Sequence, residues 1–220
     1  MKILYEDNHL LVVVKEPNIP MQEDDSKDLD LLSMAKEYLR VKYDKPGNIY
    51  VGLVHRLDRP VGGVVVLAKT SKAAARLSES IRTRSIEKEY MAIVEGNLPF
   101  EGILKDSLKK ENKTNMTKVV SEYDPEGKQS ELRYQVLSHQ ANLSLVQIQL
   151  LTGRSHQIRV QFSSRNNPIW GDARYNPSAK PGQQIALWAI RLTFLHPTTK
   201  EIMTFLSEVP KTNPWNRFHK

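Results

Sequence analysis

The sequence predicts an α+β fold built on a mixed, mainly antiparallel sheet flanked by helices. Three observations lead there. Segments with strand character outnumber those with helical character. Most successive strand candidates lie close enough in the chain to pair as hairpins. Strands and helices do not alternate as a doubly wound parallel sheet requires. The chain has 220 residues, 40% of them hydrophobic, which suits a single domain over 1–220. A chain of this size buries roughly 70% of its unfolded surface, so its core needs no covalent staples.

Lys2–Tyr5 and Leu10–Lys15 read as short strands, closed off by Pro17 and Pro20. From Asp28 to Tyr43, apolar residues at 29, 32, 35, 39 and 43 form a helical stripe. Lys45-Pro46-Gly47-Asn48 is a turn. Ile49–Val54 and Gly63–Ala68 are β-branched runs suited to buried strands. Pro60 and Gly62 keep the segment between them, 55–62, out of regular structure. Thr70 or Ser71 can cap a helix carrying Ala74, Leu77 and Ile81 on one face. Glu89 to Glu95 alternates, with Tyr90, Ala92 and Val94 on one side. Glu131–Ser138, Ser144–Leu150, Ile185–Leu195 and Ile202–Leu206 complete the strands. Ser155–Ser164 reads as a short helix capped by Thr152 or Ser155.

Composition excludes several classes. With no cysteine there is no disulfide scaffold, no cysteine-based zinc site and no thiol nucleophile. The 6 histidines are scattered, so no metal site is expected. The longest strongly apolar run, Leu10–Val14, is too short to span a bilayer, and Met1–Asp7 lacks an apolar signal region. A cytoplasmic protein that does not bind membranes is expected. The formal net charge is +7, from 32 Lys and Arg against 25 Asp and Glu. It favours a polyanionic partner without establishing one. Bases crowd 69–88 and 150–175, while acids crowd 21–30. No Gly-x-Gly-x-x-Gly, Gly-Lys-Ser/Thr loop or Gly-x-Ser-x-Gly elbow is present, and the Ser-x-x-Lys match at Ser33–Lys36 lacks its companion motifs.

Three segments carry residues suited to chemistry. In His55-Arg56-Leu57-Asp58-Arg59 a carboxylate sits between two arginines, on irregular chain between apolar strands. Nearby cations favour its ionised form, which can act as a nucleophile or an electrostatic stabiliser. A structural ion pair at a strand end fits the same residues. In Thr152-Gly153-Arg154-Ser155-His156-Gln157-Ile158-Arg159, donor-rich side chains cluster at a strand-to-helix junction. Ser155 and Arg159, four apart, would share a helix face. Arginine in such a place binds phosphate or carboxylate in bidentate fashion, and a solvated helix start is the plainer alternative. Tyr90 stands in a strand, where tyrosine is commonly core.

Taken together these segments resemble the RluA-type pseudouridine synthase family. His55-Arg56-Leu57-Asp58, followed by Gly63 and Ala68-Lys69, is similar to its signature, and Lys88–Gly96 to its tyrosine motif. Leu151–Val160 with Pro168–Tyr175 is similar to its third motif, and Ile185–Leu192 with His196-Pro197 to its penultimate strand. Tyr5-Glu6-Asp7 and Val12-Val13-Val14-Lys15 also fit. Two departures bear on the loop and the base pocket. Pro60-Val61-Gly62-Gly63 stands where the family often has Asp-Thr-Ser-Gly, and Leu187-Trp188-Ala189 where it often has Leu-His-Ala. Met1 leads directly into the first strand, so a stand-alone catalytic domain without the S4 RNA-binding module of many relatives is expected.

The resemblance implies an RNA pseudouridine synthase acting on ribosomal RNA, transfer RNA or both, without metal or cofactor. A monomer is expected. Asp58 would be the nucleophile, acting at C1′, through a glycal, or at C6 of the base. Arg159 would pair with Asp58, Tyr90 would stack under the uracil, and Leu187 would pack against the base. Arg56 would fill the gap left by the flipped nucleotide. His55, Arg154, His156 and Gln157 join the expected substrate-binding set. Base flipping is needed because the reacting atoms are inaccessible inside a stack. Phosphate contacts on a basic rim would share the binding with uracil-edge contacts. A catalytically silent RNA-binding module is the alternative reading.

Overall fold

The two most apolar runs of the chain lie side by side, with every residue buried. The computed structural model describes residues 1–111 and 113–218. In chain order its elements are β1 (Lys2–Glu6), β2 (Leu10–Lys15), α1 (Leu31–Lys42), β3 (Gly52–Leu53), β4 (Gly62–Ala68), α2 (Ser71–Arg82), β5 (Glu87–Glu95) and β6 (Glu101–Glu111). They continue with β7 (Met116–Val120), β8 (Lys128–Gln140), β9 (Leu143–Leu150), α3 (Gln157–Ser163), β10 (Leu187–Leu195) and β11 (Ile202–Leu206). A 3-10 turn at Trp215–Arg217 follows. Antiparallel pairs dominate, as expected for the α+β class. The chain divides into two compact units, 1–87 with 189–208, and 88–188 with 209–220.

In the first unit the order is β1-β2-β4-β10, with β11 on β10 and β3 on β4. β2 and β4 run antiparallel, Val12 opposite Val66 and Val14 opposite Val64. Being covered on both faces, they read as unbroken apolar runs and not as alternation. α2 begins at Thr70, whose hydroxyl accepts the Ala73 N–H, and lays Ala73 and Leu77 on Val64, Val66 and Phe194. Ala74 and Ile81, expected on this face, pack partly buried against the same cluster, and Ala73 is buried beside them. α1 is capped by Asp30, which accepts the Ser33 N–H, and buries Leu31, Ala35 and Leu39. The strand expected over Ile49–Val54 shrinks to the two residues of β3. It pairs only with the last residues of β4, Gly52 opposite Ala68 and Leu53 opposite Leu67.

The second unit has the order β5-β9-β8-β6-β7. Its register centres on β9, where Val146 faces Ala92 of β5 and Val136 of β8. β6 and β7 have no counterpart in the sequence reading. Their lysine- and glutamate-rich faces hide a buried set limited to Leu104, Ser107, Leu108 and Thr117. α3 is shorter than expected, and neither Thr152 nor Ser155 caps it. His156 stands at the cap position with φ of 51°, the left-handed region that ends regular helix geometry. Six of its seven residues, Gln157–Phe162, are buried, so this helix is core on all sides.

One buried carboxylate ties the first unit together. Glu6 of β1 accepts from Tyr38, Lys42 and Tyr43, in and after α1, and from Lys69 after β4. Burial by itself would raise its pKa. The bonds from Lys42, Lys69, Tyr43 and Tyr38 outweigh burial and lower it from 4.5 to about 2. Stability from this group is therefore complete above the unfolded value of 4.5 and lost as pH falls through about 2. Glu6→Gln should lower the urea midpoint at about pH 7, and the gap to wild type should narrow steadily below about pH 4. Urea titrations across that range measure it, and a gap that stays constant with pH would remove Glu6 as the source.

Candidate active site

Asp58 lies on the segment that leads from β3 into β4, and four contacts give that segment one conformation. Where β3 stops, the His55 ring takes over the edge of β4, its Nε2 accepting the Val66 N–H at 3.0 Å. Leu57 and Val61 are buried on either side of Asp58. The Val61 N–H donates to the Asp58 carbonyl at 2.9 Å and closes a turn across Arg59 and Pro60. The Arg59 carbonyl accepts from the Asn18 N–H at 2.8 Å and from Lys15 Nζ at 2.9 Å. Gly63 follows with φ of 124°, and a Cβ there would overlap the Ala189 backbone, so only glycine fits this exit from the loop.

The two arginines that flank Asp58 in sequence point to different surroundings. Arg56 is exposed. Arg59 turns its guanidinium to the acidic segment before α1, bonding Ser26 at 2.9 Å and pairing with Asp24 and Asp28. One charge that Asp58 acts on is the ammonium of Lys15, which has no exposed surface and whose charged state Asp58 favours.

In the second unit β5 presents Tyr90, buried, opposite Ile148 of β9. Leu187 opens β10 and is buried. Past β9 a set of mutual bonds builds the turn into α3. The Gln157 amide oxygen accepts from the Thr152 hydroxyl at 2.7 Å and from the Arg154 N–H at 3.0 Å. Its amide nitrogen donates to the Glu131 carbonyl and to Gln161, both at 3.1 Å. Gln157 is thus buried and engaged with its own chain. Arg154 is exposed, its Nε on the Gln129 carbonyl. His156 Nδ1 lies 2.8 Å from the Tyr175 hydroxyl, which accepts the Thr117 N–H at 2.7 Å. Ser155 precedes α3, so it shares no helix face with Arg159.

Arg159 is the buried cation of this unit. Its Nε and Nη2 donate to the two oxygens of Asp172 at 2.8 and 2.7 Å, and Cζ sits 5.1 Å from the centre of the Tyr175 ring. This fork fixes the guanidinium plane. Asp172, side chain fully buried, also accepts the Arg174 and Tyr175 N–H groups. Asp172 lies within the third motif, over Pro168–Tyr175, where the resemblance assigns it no role. The signal was there, because a buried arginine needs an anion and Asp172 is the acid within that motif.

The sequence model for RNA pseudouridylate synthase matches residues 9–164. The chain is 32% identical to the ribosomal large subunit pseudouridine synthase D of Zymomonas mobilis, over 96% of this chain and 70% of the relative. It is also 32% identical to a ribosomal large subunit pseudouridine synthase C of Buchnera aphidicola, over 90% of this chain and 64% of that protein. Among solved structures, Human RNA Pseudouridylate Synthase Domain Containing 4 superposes with a TM-score of 0.80 at 23% identity, covering 96% of this chain and 89% of that one.

Asp172→Asn keeps the shape of the side chain and removes the charge that answers Arg159. It should cost about 3 kcal/mol of folding stability, because the anion of a buried pair is lost while the cation stays. Urea denaturation at neutral pH measures this, and a change below about 1 kcal/mol would reduce the fork to a minor contact.

Proposed function

The chain belongs to the RNA pseudouridylate synthase family, and from that premise we propose that it converts uridines of large-subunit ribosomal RNA to pseudouridine through Asp58. As a member of that family it is an isomerase acting on RNA. The observation that carries the finer reading is the Asp58 turn itself. A carboxylate stands in the family's signature position, on a loop pinned by Leu57, Val61 and the His55 bond to β4. The names of the Zymomonas and Buchnera relatives favour ribosomal over transfer RNA as the substrate.

The reaction breaks the N1–C1′ bond, turns the base and joins C5 to C1′. The C5 proton leaves, N1 ends protonated, and no electrons are exchanged. In this reading the Asp58 carboxylate attacks C1′, or acts through a glycal or at C6, managing charge at an anomeric carbon much as a glycosidase carboxylate does. Tyr90 stacks under the flipped uracil and Leu187 packs against it. Arg159 pairs with Asp58 through the cationic group that Asp172 orients. Arg56, exposed beside the nucleophile, fills the gap in the RNA, Arg154 and His156 hold the substrate, and His55 and Gln157 serve it through the turns they fix. Residues 1–220 would serve as one catalytic domain, monomeric and cytoplasmic. No described helix is long and apolar enough to cross a membrane.

The purified chain, with a chelator present, should release tritium from C5-labelled uridine in large-subunit ribosomal RNA. Asp58→Asn should bring release to background and leave RNA affinity within about tenfold, or roughly 1.4 kcal/mol. A variant keeping a tenth of the wild-type rate would remove Asp58 from the nucleophile's role. Chemical mapping of pseudouridine in cells with and without the gene tests the substrate. Sites missing from transfer RNA alone would overturn the ribosomal assignment.

A further inference from the structure

Lys15 is the last residue of β2 and has no exposed surface. Its ammonium carries three protons, and three backbone carbonyls receive them: Glu16 at 3.0 Å, Ile19 at 2.8 Å and Arg59 at 2.9 Å. A lysine ammonium has three donors and no acceptor, so this set satisfies it. Two of the acceptors hold the bend that follows β2. The third belongs to the residue after Asp58. The same Arg59 oxygen takes the Asn18 N–H from that bend, and Val61 closes the turn onto the Asp58 carbonyl. Lys15 thus stands where the bend after β2 meets the nucleophile's loop. Without the ammonium three inward-facing carbonyls would lose their donor, so the charge ties the bend and the loop to one another.

We propose that Lys15 is a positioning residue for the reaction: its buried ammonium clamps the Arg59 carbonyl to the bend after β2 and so holds the Asp58 turn in its working conformation. The proposal rests on the reading of Asp58 as nucleophile.

The clamp depends on the third proton. A neutral amine has two N–H donors for three carbonyls, and its lone pair faces the remaining oxygen. Burial lowers the Lys15 pKa to about 8, against the pull of Asp58 and Glu16 and with help from Arg59. Those are the charged groups acting on it, and β4 sets Gly63 opposite it. In the unfolded chain a lysine keeps its proton to about 10.5. Between the two values the unfolded state binds more protons, so the Lys15 contribution to folding stability rises with pH. Clamping fails over the same interval. Activity and this part of the stability therefore move in opposite directions, which a purely structural lysine would not produce.

The test compares the full chain with Lys15→Met and Lys15→Arg. Single-turnover tritium release and RNA affinity are measured from about pH 7 to pH 10, with amide hydrogen exchange of the 55–62 segment over the same range. Lys15→Met should lose about 100-fold in rate, the scale of a small misplacement of a reacting group, with RNA affinity within about threefold. Lys15→Arg, which keeps the charge, should retain more. The wild-type rate should fall above about pH 8, and Lys15→Met should lack that limb. Exchange in 55–62 should quicken at least about tenfold in Lys15→Met, and in wild type above pH 8 beyond the intrinsic effect of pH. A Lys15→Met rate within about threefold of wild type, or unchanged exchange, would overturn the proposal. Should Lys15→Met not fold, the wild-type pH series decides, and an exchange rate in 55–62 that follows only the intrinsic pH effect would overturn it. If wild type turns over no RNA, the reading of Asp58 fails by itself, and the exchange data still decide whether Lys15 holds the loop.

Discussion

A cation taken out of water must be met by fixed oxygens, and among the described residues Lys15 in the first unit and Arg159 in the second are the buried lysine and arginine. In the first unit Lys15 is answered by three backbone carbonyls. In the second Arg159 is answered by both oxygens of Asp172. The desolvation cost of either cation without its partners is several kcal/mol, so the segments supplying those oxygens cannot wander. They are the bend after β2, the turn carrying Asp58, and the stretch from α3 to Tyr175.

The strands supply what the cations are anchored to. β2 and β4 are fully buried and paired through their whole length, so their ends, where Lys15 and the Asp58 turn begin, move little. β9 does the same between β5 and β8, which leaves Thr152, Glu131 and Gln157 to close the turn into α3. Asp58 and Lys15 sit at strand ends, where a loop fastened at both ends to a rigid ladder can hold irregular backbone.

Positive charge is divided between internal and external uses. Of the bases on and after α2, Arg76 donates to the Pro197 carbonyl and Arg82 pairs with Glu79. Part of that basic stretch therefore serves the fold. Lys105, Lys109 and Lys118 on β6 and β7 likewise meet Glu131, Glu126 and Glu111. Exposed pairs of this kind contribute little to stability.

The sequence by itself determined what is written along the chain. The apolar runs of β2, β4 and β10, the existence of α1, the stripe of α2 with its cap at Thr70, and the motifs around Asp58, Tyr90 and Arg159 were all legible. In each case burial or capping depends on neighbours a few residues away. β6 and β7 were not legible, because their charged outer faces mask a sparse inner one. The start of α3 was missed because the left-handed backbone of His156 leaves no mark in composition. The partners of the buried charges lay further out of reach. The direction of Arg59 toward Asp24 and Asp28, the fork from Asp172 to Arg159, and the bond from Lys15 to a carbonyl 44 residues away join positions with no local relation. Only the tertiary structure could decide them, because a charge selects its partner by distance and desolvation in the folded chain, and chain order sets neither.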